Sequence, residues 1–195
     1  MRQAKEDLYC PTPSVTHPLL DQTTMVLVGA HYPENLGAAA RAAKTMGVTR
    51  LGLVKPSRLA VPSHDMAHKM AVRAWDVLEA TQIWDDLDTA LRQTDVVFAT
   101  TSHRGVRGVL SPRKAATLAG DFALRRARIS VLFGNEKTGL ASHEIERAHY
   151  KIRIPMAGDQ PSINLAQAVQ VIAYEWLNEA LERLNGSSGD APGRR

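Results

Sequence analysis

The chain is predicted to fold as an α/β domain with a mostly parallel sheet flanked by helices. Short runs rich in Val, Ile and Leu alternate with helical patterns from about residue 25 to residue 184, as in strand–helix–strand units. The runs also show little apolar–polar alternation, which is expected of strands covered on both faces. Finally, 44% hydrophobic and 23% charged residues in 195 suit one well-buried soluble domain.

The expected strands are 25–30 (MVLVGA), 51–54 (LGLV), 95–100 (DVVFAT), 129–134 (ISVLFG) and 151–155 (KIRIP). The first helix is expected over Asn35 to Met46, an Ala-rich stretch stopped by Gly47 as a C′ glycine. Further helices are expected over Met66 to Leu78, Trp84 to Gln93 and Pro112 to Leu124, and over Ser142 to His149 with Ser142 as its cap. The longest runs from Asn164 to about Leu184. Residues 1–23 mix prolines and charges without periodicity and read as a loose tail, as do residues 186–195, leaving a domain over 24–185.

Several function classes lose support at this stage. No apolar run spans a membrane and no signal-peptide pattern opens the chain. A single cysteine, Cys10, forms neither an internal disulfide nor a cysteine zinc site, so a cytoplasmic protein is expected. There is no Gly-x-Gly and no Gly-Lys-Ser/Thr, which removes the dinucleotide fingerprint and the P-loop. There is no Gly-x-Ser-x-Gly elbow either. His64 and His68 are spaced for a shared metal but lack a third ligand, so no metal is expected. The net charge of +4 permits an anionic partner.

Ligands of open parallel sheets bind beyond the carboxyl ends of the strands, and three of those exits carry unusual residues. After the first strand, Asn35, Gly37 and Arg41 open a helix, offering bare amides and a guanidinium to an anion or a ribose. Asn35 as a cap with Arg41 in solvent is the alternative reading. After the fourth strand, Glu136 lies between Gly134 and Gly139, placed to orient a polar ligand or an arginine, or simply solvated in a turn. After the fifth, Ser162 precedes Asn164 and the last helix. Ser162 is read as that helix's cap, leaving the Asn164 side chain free.

In order and spacing these loops resemble the three motifs of the SpoU, or TrmH-type, branch of the SPOUT RNA methyltransferases. The matching patterns are Asn-x-Gly-x-x-x-Arg at 35–41, Phe-Gly-x-Glu-x-x-Gly-Leu at 133–140 and Ser-x-Asn-Leu at 162–165. The TrmJ-like subgroup, which 2′-O-methylates a pyrimidine ribose in the tRNA anticodon loop, is the most similar, through 41–47 and 164–175. The resemblance implies a C-terminal trefoil knot and S-adenosyl-L-methionine as cofactor, touching Thr101, Ser102, His103, Gly134, Ile154, Pro161, Ser162 and Ile163. It implies Arg41 as the residue that activates the 2′-hydroxyl, with Asn35, Ser162, Asn164 and Glu136 completing the catalytic set. A guanidinium holds its proton too firmly to serve as a base, so Arg41 is read as a clamp on phosphate and developing oxyanion. Arg41, Arg104 and Arg107 are the expected RNA contacts, with Arg50, Arg58, Lys69 and Arg73 extending the patch. The family is dimeric, and Trp176 or its neighbours on the apolar last helix are the expected subunit contact. TrmJ-like proteins often carry a C-terminal RNA-binding extension, and this chain ends soon after its last expected helix. The reaction expected is ribose 2′-O-methylation of tRNA at nucleotide 32. The alternatives are an rRNA substrate or a non-catalytic RNA-binding module.

Overall fold

The computed structural model describes residues 15–103, 105–158 and 162–187. Seven strands form one sheet in the order β3-β2-β1-β6-β4-β7-β5, and every pairing is parallel. These are β1 (Thr23–Val28), β2 (Arg50–Val54), β3 (Gln82–Trp84), β4 (Val96–Thr100), β5 (Val109–Leu110), β6 (Ile129–Phe133) and β7 (Tyr150–Ile152). The central strands are buried on both faces, as their unbroken apolar runs require. In β1, Met25 and Leu27 belong to the larger core and Val26 and Val28 to the smaller, the two-residue period of a strand.

The larger layer is built by α1 (Pro18–Asp21), α2 (Pro33–Thr45), α3 (Asp65–Ala71), α4 (Trp75–Glu79), α6 (Pro112–Leu124) and α8 (Leu165–Ser187). The smaller holds α5 (Leu87–Leu91) and α7 (Ser142–Glu146). Helix α2 ends as expected, with Gly47 in the left-handed region at φ +82°.

The structure departs from the sequence reading in several places. The loose tail stops short of residue 23. His17 Nδ1 accepts the Leu19 amide at 3.1 Å to cap α1, and Leu19 and Leu20 are completely buried; two leucines are too few to show a period. The helix expected over 66–78 is two, broken where Arg73 takes φ +61°. No Gly or Pro marks that elbow; Lys44 Nζ holds it from α2, donating to the Arg73 carbonyl at 2.8 Å and the Asp76 carboxylate at 2.6 Å. Strands β3 and β5 were unforeseen because they are short edge strands with partly exposed side chains. Trp84 therefore ends a strand, and α5 starts later, capped by Asp86. Helix α7 is capped at Ala141, whose amide donates to Glu144 at 2.7 Å, and Ser142 is its first residue.

Trp176 is no subunit contact. It is fully buried, meets Phe98 edge-on at 5.9 Å and donates its indole N–H to Thr23 Oγ1 at 3.1 Å. Among the described residues no helix is long and apolar enough to cross a membrane.

Burial, followed by the nearby Arg183 charge, holds the His17 pKa below its ordinary 6.5. The unfolded chain therefore takes up the proton first, so stability is full above pH 6.5 and is lost as the pH falls through that value. Thermal unfolding of the wild type is expected to shift downward below this point. His17→Asn keeps a capping oxygen without titrating and should give a flatter profile; identical profiles would rule out His17 as the cause.

Candidate functional site

The loop after β6 is shaped by two glycines and one asparagine. A Cβ on Gly134 would lie 2.0 Å from the Gly139 carbonyl carbon and the Leu140 nitrogen, so only glycine admits the returning chain. Asn135 ties the loop together: its Oδ1 accepts the Lys137 and Thr138 amides, each at 2.9 Å, and its Nδ2 donates to Thr138 Oγ1. Such an Asx arrangement needs no regular secondary structure. Glu136 is left projecting toward the start of α2.

There its carboxylate accepts the His31 amide at 3.0 Å, the Tyr32 amide at 3.2 Å and Asn35 Nδ2 at 2.8 Å. A negative charge at a helix N-terminus is favoured by the helix dipole and by unpaired amides. Tyr32, not Asn35, is the N-cap of α2, and it provides no side-chain cap; Glu136 fills that gap from the neighbouring loop. Asn35, held on one side by Glu136, accepts through Oδ1 from Asn164 Nδ2 at 2.8 Å. The Asn164 side chain is thus not free. Its Oδ1 accepts the Ala166 amide at 2.9 Å, and Gln167 Oε1 accepts the Asn164 amide at 3.3 Å, a reciprocal cap on α8. Asn164, rather than the exposed Ser162, caps this helix.

A cavity of about 580 Å³ opens at the carboxyl ends of β4, β6 and β7. Thr101, Ser102, His103, Gly134, Ile154, Ser162 and Ile163 all line it, together with Glu136, Leu140, Met156 and Leu165. Pro161 and Arg104 lie outside the described residues. Leu140 and Leu165 entered the sequence reading only as motif positions and Met156 not at all; all three add apolar surface to the cavity. Arg153 was also missed. Its Nη2 donates to the carbonyls of His103 and, at 3.1 Å, Val106, fastening the loop that carries the exposed Arg107.

Arg41 is exposed and does not line the cavity. Among the described residues, no hydrogen bond or ion pair engages its guanidinium; Glu136 serves the loop instead. Arg50 starts β2, at the end of the sheet away from this site, and so does not extend a patch here. His64 Nδ1 accepts the Met66 amide at 3.1 Å as the cap of α3.

Known proteins resemble this chain in sequence and in fold. Residues 22–174 match the model of the SpoU rRNA Methylase family. The tRNA (cytidine/uridine/adenosine-2'-O-)-methyltransferase TrmJ of Pseudomonas aeruginosa is 36% identical over 165 residues, 82% of this chain and 63% of that one. The chain thus spans somewhat less than two thirds of that relative's length. A probable methylase family protein from Haemophilus influenzae superposes with a TM-score of 0.80 at 29% identity, covering 90% of this chain and 73% of the other. An AdoMet-bound rRNA methyltransferase from Sinorhizobium meliloti gives 0.63 at 26% identity, over 87% and 59%.

Replacing Glu136 tests how far the loops depend on it. Glu136→Ala leaves two backbone amides and Asn35 without their acceptor, at a cost of about 1–3 kcal/mol. Chemical denaturation should read that loss, with a smaller one for Glu136→Gln. Unchanged stability in Glu136→Ala would show that water replaces the carboxylate.

Proposed function

The chain belongs to the SpoU rRNA Methylase family, and on that premise we propose that it is an S-adenosyl-L-methionine-dependent ribose 2′-O-methyltransferase acting on tRNA, at nucleotide 32 of the anticodon loop, in the cytoplasm. One observation carries the reading. The Glu136–Asn35–Asn164 hydrogen-bond chain joins all three motif loops beside a single cavity.

The cavity fits the cofactor. Its volume is in the range of small-molecule sites. Leu140, Ile154, Met156 and Leu165 offer apolar contact to an adenine ring, and Thr101, Ser102 and Ser162 offer hydroxyls to ribose and amino-acid groups. The cofactor, when bound, supplies an electrophilic sulfonium methyl.

Arg41 holds the phosphate next to the target ribose and stabilises negative charge growing on the 2′-oxygen. It lies about 9 Å along the helix axis from Asn35, and helical side chains lean toward the N-terminus, which directs its guanidinium toward the site. Asn35, Asn164 and Glu136 are positioning residues that hold the start of α2 against the cavity. Ser162 lines the cavity and orients ribose or cofactor, and Arg107 and Arg104 attract the RNA backbone.

Incubation with labelled cofactor, bulk tRNA and bulk rRNA, followed by mapping of the modified ribose, tests the reading. Label is expected in tRNA at nucleotide 32, and label confined to rRNA would overturn that address. Arg41→Ala should lower kcat by at least about 100-fold, the scale for losing one oxyanion-stabilising donor, with cofactor affinity unchanged. A large loss of cofactor binding would remove Arg41 from this role.

We also infer a homodimer through the outer face of α8, where Tyr174, Leu181 and Leu184 are exposed. Sedimentation at micromolar concentration should give twice the 21.3 kDa chain mass. A monomer would refute it.

A further inference from the structure

Gly37, Arg41 and Lys44 lie four and three residues apart and so share one face of α2. At one end of that face α3 is in direct contact: a Cβ on Gly37 would fall 2.0 Å from the Ala67 carbonyl oxygen and 2.9 Å from Met70 Cβ. At the other end Lys44 Nζ holds the Arg73 carbonyl. Arg41 is therefore bracketed by Met70 on one side and by the α3–α4 elbow on the other.

That elbow presents a surface unusual for a soluble chain. Met70 is 40% exposed, Val72 44% and Trp75 52%, three large apolar side chains within six positions. The Trp75 indole N–H donates to the His68 carbonyl at 3.1 Å. Its one polar atom is thus satisfied and its ring is held at the surface. Around it Arg41, Lys69 and Arg73 are exposed, with no ion pair recorded for them among the described residues. Of the acids on these helices, Asp76 is engaged by Lys44, Asp65 and Glu34 lie in the first turns of α3 and α2, and Glu79 ends α4, none of them paired with Arg41, Lys69 or Arg73 among the described residues. A pinned aromatic ring amid uncompensated cations is the combination that binds unpaired nucleotides, the ring stacking a base and the cations holding phosphate.

We propose that the α3–α4 elbow is an RNA-docking surface on which Trp75, with Met70 beside it, receives an unpaired base next to the ribose held at Arg41, while Lys69 and Arg73 hold the flanking phosphates. The inference rests on the RNA-methylating function proposed above. Its occupant is a single-stranded stretch of RNA, chosen because the elbow continues the Arg41 face and its charge complements phosphate.

The test is binding of labelled tRNA and of a single-stranded oligoribonucleotide, read by fluorescence anisotropy, with cofactor affinity by calorimetry and mass by sedimentation in parallel. Trp75→Ala is expected to weaken RNA binding about tenfold, within the range for losing one stacked base, and Trp75→Phe to restore most of it. Cofactor affinity and mass should not change. Lys69→Gln should lower the salt dependence of RNA binding by about one counterion, a readout that a purely structural role of the elbow would not move. Unchanged RNA affinity in Trp75→Ala, in a protein whose wild type binds RNA, overturns the elbow alone. A fall in mass in Trp75→Ala assigns the surface to a second copy of the chain and also overturns it. A wild type that binds neither RNA overturns the proposed function and the elbow together.

Discussion

The Glu136 carboxylate accepts hydrogen bonds from the His31 and Tyr32 amides and from the Asn35 side chain, joining residues about a hundred positions apart in the chain. A carboxylate is suited to this junction: it accepts several donors at once, and its charge opposes the positive end of α2. The contacts between α2 and α8 at the site continue from it. Asn35, oriented by Glu136, turns its oxygen to Asn164, and Asn164 in turn caps the helix that forms one wall of the cavity. The two amides thus transmit position from the β6 loop through α2 to α8.

Arg41 stands apart from this network. The carboxylate that might have neutralised it is occupied by amides, so the guanidinium remains available to an external anion. Its neighbours on the α3–α4 elbow are cationic and apolar, and Lys44 spends its own charge on fastening that elbow to α2. The division is between residues that build the site and residues that face outward from it. In the proposed reaction the first group sets alignment and the second meets RNA.

The parts of the fold that were legible are those dictated by local pattern. The unbroken apolar runs of β1, β4 and β6 announce strands covered on both faces, and the Ala-rich stretch before Gly47 announces α2. The motif spacing of Asn35, Gly37 and Arg41, of Gly134, Glu136 and Gly139, and of Ser162 and Asn164 pointed to one site, where most of these residues meet. Edge strands β3 and β5 escaped because partial exposure erases the apolar signal. The elbow at Arg73 escaped because a lysine on another helix makes it, and Trp176 looked like an interface residue because sequence alone does not distinguish burial within a chain from burial between chains.

The sequence by itself determined the α/β class and the central strands, which follow from periodicity, and the order of the three motif loops, which follows from their spacing. Tertiary structure alone decided what the residues of those loops do for one another. It made Asn164 rather than Ser162 the cap of α8, gave Glu136 to the amides of α2 instead of to Arg41, and set Trp75 beside the Arg41 face. The reason is physical: hydrogen-bond partners and exposure depend on which distant segments the packed core brings within about 3 Å, and no local pattern carries that distance.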